Sequence, residues 1–556
     1  MVADAYLPAL TAAVARYDSA GTMPQYMILL DAFYYHGRDG RLWMSILENP
    51  LRASVRLRAS EQREAAHLRE RLAALRAAVT RSRRLQREAE AHGGASWLAK
   101  VVKVNVNVVL PSDFSFRSAR ILPPIPFTSD NVSRDHRKLV LYDFTETDPY
   151  AGELLATGIG IGEHYASATW EDRGYRVRGR TALAARAAVR RMLTSNGFRP
   201  DQIPEPLRVA TGTATPPTRQ FGVARALTVH NEPGFGAKES SVARAMLYSL
   251  APPGSVIIVP DPLWLSESWA AMLAGAAARG CAVIIIAPAK ANAPSPEPPV
   301  IALERDILRR LLAIRAHLAA VPNEAVGVLH VGVYASSTPV TDVDRRRAEV
   351  RAGLGRAPWI RELIPFDGTA LAVFDRATAQ AGQADSSTTR LAQDEVPRAP
   401  QLHQKTQLIA RPGAIAALVR QPGWENVLAQ SMRDQARQTV RLADAIGAPL
   451  PPVDTAAARA ADALLQGYER SLGEADRKRL SFYFSLGSQN HDPRGLMLDG
   501  EASVIVSGFD ASAGLVDLFY LMARTTWLDR DAQVDQLVPA PSPFMTRLAH
   551  LVRFVM

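Results

Sequence analysis

Two stretches set the reading of this chain: His136-Arg137-Lys138-Leu139-Val140-Leu141-Tyr142-Asp143 in its first half and His403-Gln404-Lys405-Thr406-Gln407-Leu408-Ile409-Ala410 in its second. Each is a histidine, a gap, a lysine and an apolar run of strand character. On an extended chain, side chains two apart share a face. Each histidine and its lysine are therefore expected in one cavity, with Arg137 or Gln404 pointing away. Two imidazoles and two ammonium groups suit chemistry at phosphorus. One imidazole can attack, the other can protonate the leaving oxygen, and the ammonium groups can balance charge on the non-bridging oxygens without a metal. One His-x-Lys pair is common by chance, so the repetition carries the information.

Outward from these pairs, the first half reads as a β-α-β unit over 25–59, with a strand at 26–32, a helix carrying Leu42 and Ile46, and a strand at 54–58. An Arg- and Glu-rich excursion follows at about 60–92, with Leu68, Leu72, Leu75 and Val79 on one helical stripe. Its arginines read first as a solvated face with acid-base pairs four apart, and otherwise as a nucleic-acid surface. The pattern then predicts an apolar stretch at 101–110, a strand at 138–142 and a helix at 181–198. The Pro- and Thr-rich stretch 204–218 suits a crossover between two lobes, 1–203 and 204–556. In the second lobe a helix at 239–249, a strand at 255–259, a helix at 269–278 and a strand at 282–287 repeat the first in outline, which suggests duplication. An exposed loop is expected at about 376–400 and an Ala-rich helical insertion at about 412–478. His230-Asn231-Glu232 reads as a polar loop rather than a metal cluster, since no second ligand stands at helical spacing.

The chain has 556 residues, 47% apolar and 22% charged, which is the balance of a globular protein and argues against fibrous or disordered classes. Its net charge of +10 favours polyanionic partners, nucleic acid or anionic lipid alike. The single cysteine, Cys281, excludes an internal disulfide and a multi-cysteine zinc site. The longest apolar runs, at 256–259 and 282–288, fall far short of the ~18 residues that span a bilayer. The first residues lack the basic and apolar regions of a secretory signal peptide.

The doubled pair resembles the signature of the phospholipase D superfamily, His-x-Lys-x-x-x-x-Asp present twice, with the active site where two similar halves meet. The first copy matches through Asp143; the second has Ala410 where the family has Asp. Residues 486–501, containing Gly487-Ser488-Gln489-Asn490 and trailing Glu501, resemble the family's Gly-Ser-x-Asn motif with its acidic residue. The resemblance implies that Ser488 and Asn490 contact phosphate together with Lys138 and Lys405, and that Glu501 orients a catalytic imidazole. Residues 156–165 resemble the corresponding Gly-Gly-x-Asn segment, with Gly160 where Asn would stand. Residues 170–179 resemble an Asp-x-x-x-x-Val-x-Gly stretch, so Asp172 is expected to hold His136 in its reactive tautomer, with Glu171 as the fallback.

What the resemblance implies for the fold is an α/β protein of two phospholipase D-like αβα-sandwich lobes related by pseudo-twofold symmetry, with mixed sheets flanked by helices and helical insertions. For chemistry it implies a phosphohistidine intermediate with no cofactor and no metal. His136 is the expected nucleophile, from its intact Asp143 and the order usual in bacterial relatives, and His403 the general acid and base. The expected function is hydrolysis or exchange of phospholipid headgroups by a soluble enzyme in peripheral contact with a membrane surface. The absence of a signal peptide suits a cytoplasmic protein or a bacterial effector exported by a specialised machine. Two alternatives stay open: a metal-independent nuclease, with nucleic acid as partner along the Arg-rich 52–87 region, or an inactive phosphate-binding scaffold, suggested by Ala410 and Gly160. The 543–556 tail mixes apolar and basic positions as in interfacial helices, or docks on a core.

Overall fold

Two fully apolar strands, 256–260 and 282–288, lie at the centre of the computed structural model of the chain. It describes residues 6–21, 27–31, 46, 49–53, 62–102, 105–109, 135–142, 150, 152–159, 170–195, 198–201, 203, 207, 225–233, 236–288, 298–323, 325–334, 401–410, 419–420, 422–424, 482–507, 518, 521–522, 525–538 and 540–552. Two compact units emerge. The first comprises residues 1–135 with 161–166 and 195–197, and the second 136–160, 167–194 and 198–556. The division therefore falls at Asp135/His136 rather than at 203/204, and both His-x-Lys pairs lie in the second unit.

In the first unit, helices α1 (Leu7–Ala20), α2 (Gln62–Arg81), α3 (Arg83–His92) and α4 (Ala95–Val101) accompany a parallel pair, β1 (Met27–Asp31) and β2 (Asn105–Val109). The 3–4 spacing in α2 has its expected effect: Leu68, Leu72, Leu75 and Val79 are buried against Leu7, Leu10, Val14 and Tyr17 of α1. Ser82 caps α3, accepting from the Leu85 N–H, and its hydroxyl meets Asp18. The strand expected at 54–58 lies outside the described residues.

The second unit is built on an eight-stranded mixed sheet. Before it come β3 (Leu139–Tyr142), β4 (Glu153–Thr157), β5 (Trp170–Glu171), β6 (Gly174–Arg178) and α5 (Arg180–Ser195). Then follow β7 (Arg225–Asn231), α6 (Glu239–Leu250), β8 (Val256–Pro260), α7 (Glu267–Ala278), β9 (Ala282–Pro288), α8 (Pro298–Ala320), β10 (Val328–Tyr334), β11 (Gln401–Leu402), β12 (Thr406–Ala410), β13 (Phe482–Gly487), α9 (Pro493–Met497), β14 (Glu501–Ser507), β15 (Thr525–Trp527), α10 (Asp531–Leu537) and α11 (Pro543–Val552). The sheet order is β15-β10-β9-β8-β12-β13-β14-β7, with β8, β9 and β10 parallel and the remaining neighbours antiparallel. The helices α7 and α8 make the crossovers that parallel neighbours require. Because β8 and β9 are covered on both faces, they are apolar throughout rather than alternating.

Period-two alternation splits the core into two layers. Ile257, Val259, Val283 and Ile285 face Trp269, Leu273, Leu308 and Leu311 of α7 and α8. Val256, Ile258, Ile284, Leu408, Phe484 and Val504 face Leu154 and Ala156 of the antiparallel sheet β3-β4-β6 and Ala182, Leu183 and Ala185 of α5. His230 and Asn231, expected in a loop, are buried on β7. The tail helix α11 docks on α8, burying Ala549 beside Leu265, Ala302 and Leu303, with Phe544 and Leu551 exposed. Among the described residues no helix is long and apolar enough to cross a membrane. The 204–218 crossover and the 412–478 insertion fall almost entirely outside the described residues, and the 376–400 loop falls wholly outside them.

Candidate active site

Both His-x-Lys pairs sit immediately before strands, where the extended chain leaves the sheet and its side chains are no longer claimed by the core. His136 and Lys138 precede β3; His403 and Lys405 precede β12. The His136 N–H donates to the Gly500 carbonyl at 2.8 Å, which ties the first pair to the start of β14. The second pair is tied to the first half by strand pairing. β11 runs parallel to β5, with Gln401 opposite Trp170 and Leu402 opposite Glu171, so the next residues, Asp172 and His403, meet.

That register determines which carboxylate serves which imidazole. His403 Nδ1 lies 2.5 Å from Asp172 Oδ2, and His136 Nδ1 lies 2.9 Å from Glu501 Oε1. The expectation that Asp172 holds His136 is thus corrected. Each histidine takes its carboxylate from a strand on the other side of the site, because β5 pairs with β11 and Gly500 bonds His136. Both acids are nearly sealed, Asp172 at 4% and Glu501 at 1% exposure, while the imidazoles remain at 14% and 10%. With Nδ1–H committed to a carboxylate, the tautomer leaves the lone pair on Nε2. Gly158 makes this possible on one side, since a Cβ there would fall 2.3 Å from Asp172 Oδ1. Asp172 Oδ1 also accepts from the Arg173 N–H at 2.7 Å, fixing the carboxylate plane.

Lys405 is buried, its ammonium 2.9 Å from the His403 carbonyl and 3.0 and 3.1 Å from the two ring nitrogens of His403. Burial and that ammonium, with Lys138 adding to it, push the His403 imidazole down to about 4 against the pull of Asp172. Burial also lowers Lys405, while Asp172, Asp261, Glu501 and Asp492 oppose the shift. Lys138 Nζ donates to the His136 carbonyl at 3.1 Å. Since Lys138 acts on His403 and Lys405 feels Glu501, the two pairs share one electrostatic site.

Ser488 and Asn490 follow β13 directly. The Ser488 hydroxyl donates to Glu501 Oε2 and accepts from the Ala502 N–H at 3.1 Å, so its first contact is with the acid that holds His136. Asn490 is buried, and among the described residues its Oδ1 has no hydrogen-bond partner. Rotating the amide would turn its N–H donors the same way. Asp143, Gly160 and their surroundings lie outside the described residues. Glu171, the fallback orienter, belongs to β5 and helps to set the register.

Sequence reasoning missed what lies beneath the 488–492 loop. Gln489 is gripped on every side: its Oε1 accepts from Ser240 at 2.8 Å, its Nε2 donates to Ser241 and to the Gly495 carbonyl, and its own carbonyl accepts from both Nη groups of Arg244 at 3.1 Å. His491 stacks on Trp264 at 4.5 Å, with Nδ1 2.7 Å from Asp261 Oδ2 and Nε2 2.9 Å from the Tyr248 hydroxyl. Burial holds this imidazole down to about 4 in spite of Asp261. Asp492 caps α9 through the Gly495 N–H. The one sequence signal was a third histidine beside the Ser-x-Asn run.

The comparisons with known proteins add little to this geometry. No family model matches the chain and no curated protein matches it. Among solved structures, phosphatidylserine synthase from Haemophilus influenzae Rd KW20 aligns over 100% of this chain and 94% of its own, with a TM-score of 0.43 and 11% identity.

Proposed function

We propose that the chain is a phosphodiester-transforming enzyme of the phospholipase D type, built on two related lobes, acting on phospholipid headgroups at a membrane surface through a phosphohistidine. The observation that carries this reading is the pair of imidazoles, each with Nδ1 fixed by a nearly sealed carboxylate from across the site and each beside a lysine. A scaffold that only bound phosphate would need the lysines but not two oriented imidazoles.

The electrostatics favour a division of labour opposite to the one expected from Asp143. His403, kept neutral by Lys405 and burial, has the lone pair that an attack needs. Its Nε2 forms a bond to phosphorus while the bond from phosphorus to the leaving alcohol breaks, and His136, entering the cycle as the imidazolium with Nδ1–H on Glu501, gives that oxygen its Nε2 proton. His136 then takes a proton from water or a second alcohol, whose oxygen displaces His403 Nε2 from phosphorus. Lys138, Lys405 and Asn490 balance or donate to the non-bridging oxygens, and Ser488 holds Glu501 in place. A lipid substrate is favoured over nucleic acid by an apolar stripe on α6, Val242, Met246 and Leu250, more than half exposed and joined by Met497 of α9.

The test is turnover, in the presence of a chelator, of a mixed phospholipid vesicle panel and of single- and double-stranded DNA and RNA by the wild type, His136→Ala and His403→Ala. Headgroup release lost in both variants is the expected result. Nucleic-acid cleavage with the same dependence would replace lipid by nuclease, and a silent wild type on every substrate would overturn the enzymatic reading.

A further inference from the structure

Helix α6 is inside out. Its buried residues are Ser240, Ser241, Arg244 and Tyr248, and its exposed ones include Val242, Met246 and Leu250. The polar face is turned inward because it grips the loop that carries Ser488 and Asn490. Most of its groups are fully matched: Ser240 with Gln489 and Ser503, Ser241 with Asn231 and Leu496, Tyr248 with His491.

Arg244 is different. It is 2% exposed, both Nη groups go to a single backbone carbonyl, that of Gln489, and among the described residues its Nε has no partner. Among the described residues no carboxylate pairs with it; its guanidinium lies 5.8 Å from the Trp269 ring centroid. The nearby acids are engaged elsewhere: Asp261 with His491, Glu501 with His136 and Ser488, Asp492 with the α9 N-terminus. An ionised guanidinium buried without a counter-ion is costly, and folding alone would be served better by an apolar side chain of the same shape. The carbonyl it holds belongs to the Gln489–Asn490 peptide, in the loop from which the proposed function takes Asn490 to the phosphate.

We propose that Arg244 is a positioning residue for the substrate anion. It fixes the Gln489–Asn490 peptide, and it supplies from behind the loop a positive charge whose counter-ion is the bound phosphate group. The inference rests on the reading of 488–490 as a phosphate cradle.

The experiment measures the thermal midpoint of the full chain with and without inorganic phosphate, for the wild type, Arg244→Met, Arg244→Lys and Lys405→Met. The wild type should rise with phosphate, and Lys405→Met should lose most of that rise, locating the anion at the site. Arg244→Met should keep or raise the midpoint without phosphate but lose the phosphate-dependent rise, with affinity at least tenfold weaker. Arg244→Lys, which keeps the charge and one donor, should recover part of the response. If Arg244→Met lowers the midpoint yet responds to phosphate like the wild type, Arg244 is only a structural brace and the inference falls. Should Arg244→Met not fold, Arg244→Lys decides alone: an undiminished response at a lowered midpoint overturns the inference, and a diminished one supports it. A wild type indifferent to phosphate, or a rise that survives in Lys405→Met, overturns the phosphate-cradle reading itself.

Discussion

Burial and Lys405 together determine what His403 can do. Burial disfavours the charged ring, and an ammonium about 3 Å from both ring nitrogens adds to it, so the imidazole stays neutral down to about pH 4. With a phosphodiester bearing an activated leaving group, which needs no proton, the phosphoryl label should appear on the peptide containing His403. It should persist in His136→Ala and vanish in His403→Ala; label recovered on His136 would reverse the roles. The pH dependence follows in sign. Attack needs the unprotonated ring, so the acid limb of kcat/KM should fall near pH 4, and Lys405→Met, which removes the neighbouring charge, should move it upward while lowering the rate. Gly158→Ala tests the other contact of this ring. Its Cβ would press on the Asp172 carboxylate and push it off His403, and a displacement near 1 Å costs on the order of 10²-fold in kcat/KM. A variant of wild-type activity would show that Asp172 does not orient the ring. The residue types were legible in the sequence; their pairing was not. Asp172 meets His403 because two strands of two residues each pair across the chain, and strands that short carry no pattern of their own.

At the scale of elements, periodicity read correctly wherever burial followed hydrophobicity. The strands β8 and β9 and the helix α7 are where apolar runs and helical spacing placed them, and Leu68 through Val79 turn inward as their stripe requires. The helix α6 also lies where a helix was expected, at 239–249, but its faces run against hydrophobicity for a physical reason. Val242, Met246 and Leu250, four apart, form the stripe that would ordinarily face a core, yet the helix buries Ser240, Ser241 and Arg244 because the 488–492 loop needs partners for its polar groups more than the sheet needs another apolar cover. An inverted order of sensitivity follows. Met246→Gln should change stability by no more than about 0.5 kcal/mol. Ser241→Val, which removes one acceptor from each of the buried Asn231 and Gln489 amides and leaves them only the Gly495 carbonyl, should cost about 2 kcal/mol in denaturant unfolding. If Met246→Gln proved the costlier change, α6 would be packed the other way round.

For the whole molecule, two imidazoles of the second unit, those of His403 and His491, couple its stability to pH. His403 and His491 are both held near 4 in the folded chain, against an ordinary value of 6.5. Between those values the unfolded chain binds the extra protons, so stability rises with pH through this window and is lost as pH falls from about 6.5 towards 4. Each group can contribute on the order of 3 kcal/mol across the full window. Since the chain divides into two compact units, one global transition is not assured, and the measurement needs a probe inside the second. With Trp43 and Trp97 of the first unit replaced by phenylalanine, tryptophan fluorescence, including that of Trp264 and Trp269 around His491, supplies it. Urea midpoints followed this way should fall steadily from pH 6.5 to pH 4.5. His491→Gln should start lower at pH 7, because Asp261 and Tyr248 lose a partner, but should show a shallower slope than the wild type, since the His491 contribution is gone. Equal slopes in the two proteins would mean that His491 is already protonated in the folded chain. The Asp261 contact would then be an ion pair, and the loop carrying Ser488 and Asn490 would be held by charge rather than by a neutral hydrogen-bonded ring.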